Sequence, residues 1–296
     1  MGVNGYVKAA ASRIAPLSHG SLYGDTFQVR VDETPVNIAY TTEALKPHMD
    51  LAYYESPPGL QFLHCIQFDK GVQGGESIFY DTFLLAELLR EHSPRHFATL
   101  CQVPATFMKD HTKRSNPAQM YFRRPHISVN HLGIVTSVFW SPAFEGPLIL
   151  DGELSACCRT AADLKGPQSS VTVPEYSSRM AQVEDIESLM YESKGLRVIE
   201  EYYEAYHAFA NLMTDVEVAT RFQIKFRLPE GCIVSFNQRR LLHGREAFIS
   251  HEGTRWLEGC YVGIDDFLNR HRTLALVYGS GVSGIEYAPR IGNSSW

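Results

Sequence analysis

The C-terminal third of the chain contains the stretch that decides the fold, FQIKFRLPEGCIVSFNQRRLLHGREAFISHEGTRWLEGCYVGI, residues 222–264. Three segments within it, at 222–228, 231–238 and 255–264, are rich in β-branched and aromatic residues. Polar residues with Pro or Gly separate these segments, which is typical of strands joined by turns. The stretch therefore predicts a β-rich core.

Upstream segments extend this pattern and add helices. The apolar runs LQFLHCIQF at 60–68 and IVTSVFW at 134–140 predict buried strands. Helical spacing occurs at 82–92, where Asp81 can serve as the N-cap, and at 196–213. Many short strands with one or two long helices predict a mainly β fold with added helices, built on a β-barrel or jelly roll. The apolar faces of the two helices are predicted to contain Phe83, Leu84, Leu88 and Leu89 in the first, and Ile199, Tyr202, Tyr206, Phe209 and Leu212 in the second.

The bulk composition excludes several classes of protein. Hydrophobic residues make up 44% of the 296 residues, which is enough for a sizeable core. A net charge of -6 gives no basic field for nucleic acid or an anionic membrane. No apolar run approaches the length of a membrane span and no signal peptide is evident, so we expect a cytoplasmic protein. The six cysteines contain no C-x-x-C pair, which predicts reduced thiols.

Length alone permits one large domain or two small ones, and we predict a single domain over 1–296. Residues 151–194 contain few periodic hydrophobic residues. This segment is predicted to be an insertion that acts as a lid or an interface.

His48-Met49-Asp50 is the first candidate for a metal site. Side chains alternate along an extended segment, so His48 and Asp50 are expected on one face. Completed by a remote histidine, this pair would form the facial triad of a mononuclear non-haem Fe(II) site, with coordination positions left open. Because the chain has twelve histidines, a chance pair in a turn or on the surface is the alternative.

His243 is the candidate for the third ligand. It ends CIVSFNQRRLLHGR, which is predicted to be one alternating strand that runs into a glycine turn. Arg245 and Arg255 offer the positive charge that a dicarboxylate co-substrate requires. The polar stretch 246–254 is predicted to reverse the chain and return RWLEGCY beside the strand of His243.

On that returning strand, Arg255, Leu257, Gly259 and Tyr261 are predicted to share one face, which directs Arg255 and Tyr261 toward the metal. The alternatives are a surface salt bridge for Arg255 and core packing for Tyr261.

Several motifs, in order along the chain, resemble those of the γ-butyrobetaine and trimethyllysine dioxygenases of carnitine biosynthesis. These enzymes are Fe(II)/2-oxoglutarate oxygenases of the taurine-dioxygenase-like superfamily. The similar stretches are LYGDTFQV (22–29), NIAYTTEALKPHMDLAYYESPPGLQFLHC (37–65), GGESIFYDTF (74–83), FNQRRLLHGR (236–245) and GTRWLEGCY (253–261).

The resemblance implies a double-stranded β-helix (jelly-roll) core and a set of ligands. His48, Asp50 and His243 match the catalytic Fe(II) ligands. Arg255 matches the arginine that pairs with the distal carboxylate of 2-oxoglutarate, and Ser77 occupies a position where the superfamily often has Thr. O2 is the second co-substrate, and ascorbate is expected to assist.

The resemblance also implies a substrate. Tyr23, Phe27, Tyr40 and Tyr261 match the aromatic cage that binds a trimethylammonium group, which cation–π attraction can recognise without hydrogen bonds. Tyr23 and Phe27 are expected on one strand face, with core packing as the alternative for each ring. Asn37 matches the amide that contacts the substrate carboxylate in butyrobetaine enzymes, where trimethyllysine enzymes carry Asp.

Hydroxylation of γ-butyrobetaine to L-carnitine is therefore the predicted reaction. The alternatives are hydroxylation of trimethyllysine or another quaternary amine, and a non-catalytic betaine-binding or scaffold protein. The chain departs from the family in having Phe27 where Trp is frequent, and it lacks a second Asn near 134–142. The short segment before His48 predicts that the N-terminal zinc domain of animal relatives is absent. The resemblance also predicts a homodimer, with 151–194 or 264–296 as contacts.

Overall fold

The computed structural model describes residues 5–18, 22–33, 35, 37–113, 117–149, 181–249 and 253–278, without the side chains of 181–196. The strands are β1 (Phe27–Val29), β2 (Leu45–His48), β3 (Leu60–Phe68), β4 (Gln73–Gly74), β5 (Ser77–Asp81), β6 (Pro104–Asp110), β7 (Gln119–Pro125), β8 (Ile127–Val129), β9 (Val135–Val138), β10 (Gln223–Phe226), β11 (Ile233–Asn237), β12 (Leu241–Arg245), β13 (Phe248–Ile249) and β14 (Arg255–Val262). The helices are α1 (Tyr6–Ile14), α2 (Thr82–His92), α3 (Pro94–Gln102), α4 (Ala181–Leu212), α5 (Val216–Phe222) and α6 (Ile264–Tyr278), with 3-10 turns at Ile38–Tyr40 and Pro142–Phe144.

Two four-stranded antiparallel sheets form the centre of the molecule. We call β1-β14-β3-β11 the major sheet, because it contains the long strands β3 and β14, and β10-β5-β12-β2 the minor sheet. Leu63 of β3, Phe79 of β5 and Phe236 of β11 belong to one buried cluster, so the sheets pack face to face. This arrangement confirms the predicted mainly β fold with a jelly-roll core.

The prediction of one long strand ending at His243 was wrong. The stretch 232–245 contains β11 of the major sheet and β12 of the minor sheet, and the chain crosses between the sheets at 238–240. Both buried side chains at this crossing bond to backbone near Pro57, since Gln238 Nε2 donates to Pro58 O at 2.9 Å and Arg239 Nε donates to Pro57 O at 2.9 Å. Polar and apolar residues alternate in the same way before and after the chain passes from one sheet to the other. The alternation therefore does not reveal where the chain changes sheets.

The predicted hairpin was wrong for the same reason. β14 does not lie beside β12; it pairs with β3 and β1 in the major sheet. Arg255 and Tyr261 therefore approach His243 from the opposite sheet. The shared face predicted along β14 is confirmed, because Arg255, Leu257 and Tyr261 line one cavity.

Helix α2 begins where the sequence predicts, since Asp81 Oδ1 accepts a hydrogen bond from Phe83 N at 3.0 Å. The prediction of its apolar face was only partly right. Leu89 is buried, but Leu85 is buried in place of Leu84, which is 36% exposed. The predicted stripe of α4 is confirmed at its centre, where Tyr202 and Phe209 are buried.

Three further expectations concern the first strand, the cysteines and the predicted insertion. Strand β1 covers only Phe27–Val29, so Tyr23 lies in the turn before it and the two rings do not share a strand. The described cysteines are all free thiols, as predicted, whereas Cys157 and Cys158 lie outside the described residues. Of the predicted insertion at 151–194, residues 151–180 lie outside the described residues. Helix α4 begins at residue 181, within the rest of that insertion. Among the described helices, none combines the length and apolarity needed to cross a bilayer.

Candidate metal centre and substrate cavity

The minor sheet brings two histidines together. His48 is the last residue of β2, and antiparallel pairing places it directly opposite His243 of β12. Their ring centroids lie 4.4 Å apart. Asp50 follows β2, and the ligand atoms of His48, Asp50 and His243 all lie within 4.8 Å of one another.

The hydrogen bonds of these residues leave donor atoms available for a metal. His48 Nδ1 lies 2.8 Å from Lys46 O, to which it can only donate, so its Nε2 carries the lone pair in the neutral ring. That Nε2 lies 3.4 Å from Asp50 Oδ1, and His243 Nε2 lies 3.7 Å from Asp50 Oδ2. Two imidazole nitrogens and one carboxylate form the donor set that suits non-haem Fe(II), so the residues fit the expected ion.

The major sheet holds the carboxylate of Asp50 in place. Gln61 Nε2 of β3 and Tyr261 OH of β14 each donate to Asp50 Oδ2 at 2.8 Å. The backbone N–H of Asp50 donates to Gln238 Oε1 at 3.1 Å. Because two donors occupy Oδ2, Oδ1 is the carboxylate oxygen left facing His48.

Burial and neighbouring charges shift the pKa values of the three residues in this cluster. Burial works to raise the pKa of Asp50, but His243, His48 and the Tyr261 hydroxyl together hold it well below its usual range. Burial works to lower the pKa of His48, but the Asp50 carboxylate raises it above its ordinary value. Burial and the neighbouring His48 lower the pKa of His243 to about 4. The Asp50 carboxylate therefore favours protonation of His48 over protonation of His243 in the metal-free cluster.

Arg255 is a buried cation that forms no ion pair with an acidic side chain among the described residues. It begins β14, is 4% exposed, and donates from Nε to Gly75 O at 3.1 Å. Burial, together with the nearby Arg245, lowers the pKa of Arg255 to about 9. No acidic side chain in the described part of the chain forms an ion pair with it. A buried charge normally has a partner, so this guanidinium is suited to bind an anionic ligand.

Every residue predicted for the site lines one cavity of about 770 Å³, a volume that includes its open mouth. Other side chains also line it, and sequence reasoning missed them. Gln61 had a usable signal, because it is a polar residue at the start of the apolar strand β3. Tyr53 and Phe144 had none, since both lie in turn segments without periodicity. The predicted residues that line the cavity are Tyr23, Phe27, Asn37, Tyr40, His48, Asp50, Ser77, His243, Arg255 and Tyr261.

The aromatic rings of the cavity are held by one another and by polar contacts. Phe27 stacks on Tyr261 with ring centroids 5.0 Å apart and planes inclined by 24°. Gly259 lies opposite Phe27 in the β1–β14 pair, and any Cβ there would collide with the Phe27 ring. Tyr23 hydrogen-bonds to Tyr53, which is itself buried. The rings are therefore fixed in position before a substrate enters.

Comparison with known proteins identifies the family. Residues 6–261 match the family model described as taurine catabolism dioxygenase TauD, TfdA family. The chain belongs to this family. Membership confirms the resemblance seen in the motifs and the dioxygenase class of the domain, for which Fe(II), 2-oxoglutarate and O2 are the expected cofactors. The roles of individual site residues stay predictions.

Relatives within this dioxygenase family differ in their named substrates. The chain is 31% identical over 264 residues to dioxygenase str8 of Strobilurus tenacellus, covering 86% of this chain and 49% of the relative. It is 29% identical over 250 residues to γ-butyrobetaine dioxygenase of Pseudomonas sp. (strain AK-1), covering 84% and 51%. It is 25% identical over 265 residues to mitochondrial trimethyllysine dioxygenase of Rattus norvegicus, covering 90% and 51%. The chain thus spans about half the length of the curated relatives it matches.

A solved structure shares the fold of this TauD, TfdA-family chain. The asparagine oxygenase complex with Fe(II), 2S,3S-3-hydroxyasparagine and succinate aligns with a TM-score of 0.52 at 14% identity. The alignment covers 85% of this chain and 60% of that one. At this identity the likeness supports the jelly-roll fold alone.

Proposed function

We propose that this chain is an Fe(II)- and 2-oxoglutarate-dependent oxygenase that hydroxylates a trimethylammonium substrate, with γ-butyrobetaine, converted to L-carnitine, as the first candidate. The observation that carries the proposal is a buried Arg255, without an ion-pair partner in the described part of the chain, in the same cavity as His48, Asp50 and His243. A structural metal site would need no such cation beside it. An oxygenase that uses a dicarboxylate co-substrate needs both.

Different residues would bind the metal, the co-substrate and the substrate. His48, Asp50 and His243 would hold Fe(II), which, with 2-oxoglutarate and O2, supplies the hydroxylation of a C–H bond with release of succinate and CO2. Arg255 would bind one carboxylate of 2-oxoglutarate, leaving the keto-acid end for the metal. Ser77 is buried in the same cavity and would add a hydroxyl donor. The aromatic walls restrict water and fix which carbon faces the metal.

The trimethylammonium assignment rests on the cavity's rings and on Asn37. The faces of Tyr23, Phe27, Tyr40 and Tyr261 offer cation–π attraction to a cation that has no hydrogen to donate. Asn37 Oδ1 accepts from Ala39 N at 3.1 Å, and no described residue accepts from its Nδ2. That amide can therefore donate to a substrate carboxylate.

Trimethyllysine is the second candidate, and an outer cavity favours it. This cavity adjoins the inner one at Tyr23, Phe27 and Tyr40, and its wall includes Arg30 and Asp32. Side chains of both signs suit the free amino-acid end of a longer substrate. The relatives include a trimethyllysine dioxygenase as well as butyrobetaine dioxygenases.

A substrate panel tests the proposal. Succinate release is measured with Fe(II), O2 and 2-oxoglutarate in the presence of γ-butyrobetaine, trimethyllysine, or 5,5-dimethylhexanoate, the isostere of γ-butyrobetaine in which a neutral carbon replaces the ammonium nitrogen. We expect stimulation by γ-butyrobetaine and at least about tenfold less by the isostere, because cation–π attraction requires the charge. Stimulation by another methylammonium compound, without any by γ-butyrobetaine, would reject the substrate and keep the reaction class.

Variants at two positions refine this result. Tyr40→Ala should weaken turnover of every trimethylammonium substrate, while Tyr40→Phe, which keeps the ring, should retain most of it. Asn37→Asp should lower turnover of γ-butyrobetaine by repelling its carboxylate, and it should improve turnover of trimethyllysine. If the protein binds methylammonium compounds but consumes no 2-oxoglutarate, it is a binding or scaffold protein.

The homodimer also belongs to this proposal. Light scattering of the purified protein tests it directly. A monomer at micromolar concentration would reject the dimer without affecting the assignment of the reaction.

A further inference from the structure

Arg245 connects the strand of a metal ligand to a segment that contributes substrate-facing side chains. It ends β12, which also contains His243, and it is buried. We call residues 37–43 the substrate segment, because Asn37 and Tyr40 lie in it and line the cavity. We propose that Arg245 is a positioning residue that holds the substrate segment in place, and that it is not a ligand of the co-substrate. The inference rests on the proposed function.

Every side-chain hydrogen bond that the structure describes for Arg245 runs to that segment. Nη1 donates to Ala39 O at 3.1 Å, and Nη2 donates to Thr41 O at 2.9 Å. Nη2 also donates to Glu43 O. A rigid guanidinium fork can satisfy several carbonyl oxygens at once, which a lysine cannot do from a single nitrogen.

The substrate segment has few other attachments. None of the residues 37–43 is buried, and Ile38 is 45% exposed. Its internal bonds, such as Tyr40 N to Asn37 O at 2.9 Å, stabilise the turn without tying it to the sheets. Thr42 O accepts from Phe248 N at 3.0 Å and Tyr40 O accepts from Asp32 N at 3.0 Å. With so little buried surface, the position of the segment depends on hydrogen bonds, and Arg245 supplies those at its centre.

Arg245 and Arg255 are both buried arginines of the same cavity, yet their bonding differs. Arg255 has one protein hydrogen bond in the described part of the chain, through Nε, and its terminal nitrogens remain available for an anion. Both terminal nitrogens of Arg245 are bound to backbone carbonyls. A carboxylate that bound the terminal nitrogens of Arg245 would displace the substrate segment, which leaves only its Nε without a partner among the described residues. This difference favours Arg255 over Arg245 as the residue that binds the dicarboxylate.

The first test measures the segment without any ligand. Hydrogen exchange is followed on metal-free wild type, Arg245→Met and the control Arg240→Met, whose arginine is exposed and paired with Asp81. In Arg245→Met we expect amides in 38–44 to exchange about tenfold faster or more, with β3 unchanged. Arg240→Met should match wild type in both regions.

The second test separates substrate from co-substrate. Titration calorimetry with Mn(II) in place of Fe(II) measures 2-oxoglutarate affinity, and succinate release measures KM for γ-butyrobetaine or, if only it is turned over, trimethyllysine. In Arg245→Met we expect the substrate KM to rise about tenfold or more, with 2-oxoglutarate affinity within about twofold of wild type. Should Arg245→Met fail to fold, Arg245→Lys is used and should show the same split with a smaller change.

Opposite outcomes overturn the inference. Unchanged exchange in 38–44 would reject the positioning role. A 2-oxoglutarate affinity about tenfold weaker with an unchanged substrate KM would make Arg245 a co-substrate residue. If wild type binds no 2-oxoglutarate, the proposed function fails, whereas the exchange result still decides whether Arg245 holds the segment.

Discussion

The two sheets build the cavity in different ways. In the minor sheet, the register of β2 against β12 sets His48 opposite His243, so backbone pairing produces the metal geometry. In the major sheet, β3 and β14 contribute Gln61 and Arg255, whose positions follow from side-chain choice on regular strands. Substitutions in the major sheet should therefore adjust binding, whereas loss of a ligand should abolish the metal site.

Asp50 is the ligand on which both sheets converge, and its removal should have the largest effect. In Asp50→Ala we expect metal affinity to fall by more than about 100-fold, because the one carboxylate of the donor set is lost. Mn(II) titration calorimetry measures it, with the exposed Asp110→Ala as the control. Affinity within about tenfold of wild type would mean that the two histidines bind the metal without the carboxylate.

Arg255→Met tests whether Arg255 serves the co-substrate alone. We expect 2-oxoglutarate affinity to fall by about 100-fold, because a buried charge pair loses one partner. Metal affinity should remain unchanged. Arg227→Met is the matched control, since Arg227 packs on Phe68 and donates to backbone carbonyls without lining the cavity. A parallel loss of metal affinity would show that Arg255 also supports the metal site.

Gln61→Ala tests how far the major sheet supports the metal. Loss of its bond to Asp50 Oδ2 leaves Tyr261 as the other side-chain donor on that oxygen, and we expect metal affinity to fall by about tenfold. Gln67→Ala on the same strand is the control, because Gln67 bonds to Asp69 outside the cavity. Equal metal affinity in both variants would show that Gln61 only packs.

Lowering the pH should weaken metal binding at the minor sheet, and it should stabilise the metal-free protein. Because Asp50 raises the pKa of His48 above 6.5, protons compete with the metal already above that pH, by up to about tenfold per pH unit. In the metal-free protein, the His48 contribution to stability is present below pH 6.5 and is lost as pH rises through the raised pKa.

Metal titrations and thermal unfolding between pH 6 and 8 measure these two trends. His48→Gln should remove the trend in unfolding. Metal affinity that stays constant over this range would contradict competition between protons and the metal at His48.

Sequence reasoning found the cavity's residues more reliably than their arrangement. His48, Asp50 and His243 were recognisable because imidazoles and a carboxylate carry a chemical signature that survives any uncertainty in topology. The sheet assignment of β12 and β14 was not recognisable, since alternation along a strand records which face is buried and not which neighbour pairs with it. The bonding of Arg245 was not recognisable for a related reason, because the sequence does not distinguish an arginine that bonds to backbone carbonyls from one whose terminal nitrogens are available for an anion.

The pairing of β2 with β12 has a consequence for biosynthesis. Ligands from distant parts of the chain meet only when the two strands align in one register, and a slip by a single residue would turn one histidine to the opposite face. A growing chain therefore has no complete metal site until β12 has left the ribosome and docked. Binding of iron by the three proposed ligands would therefore report that β12 has paired with β2.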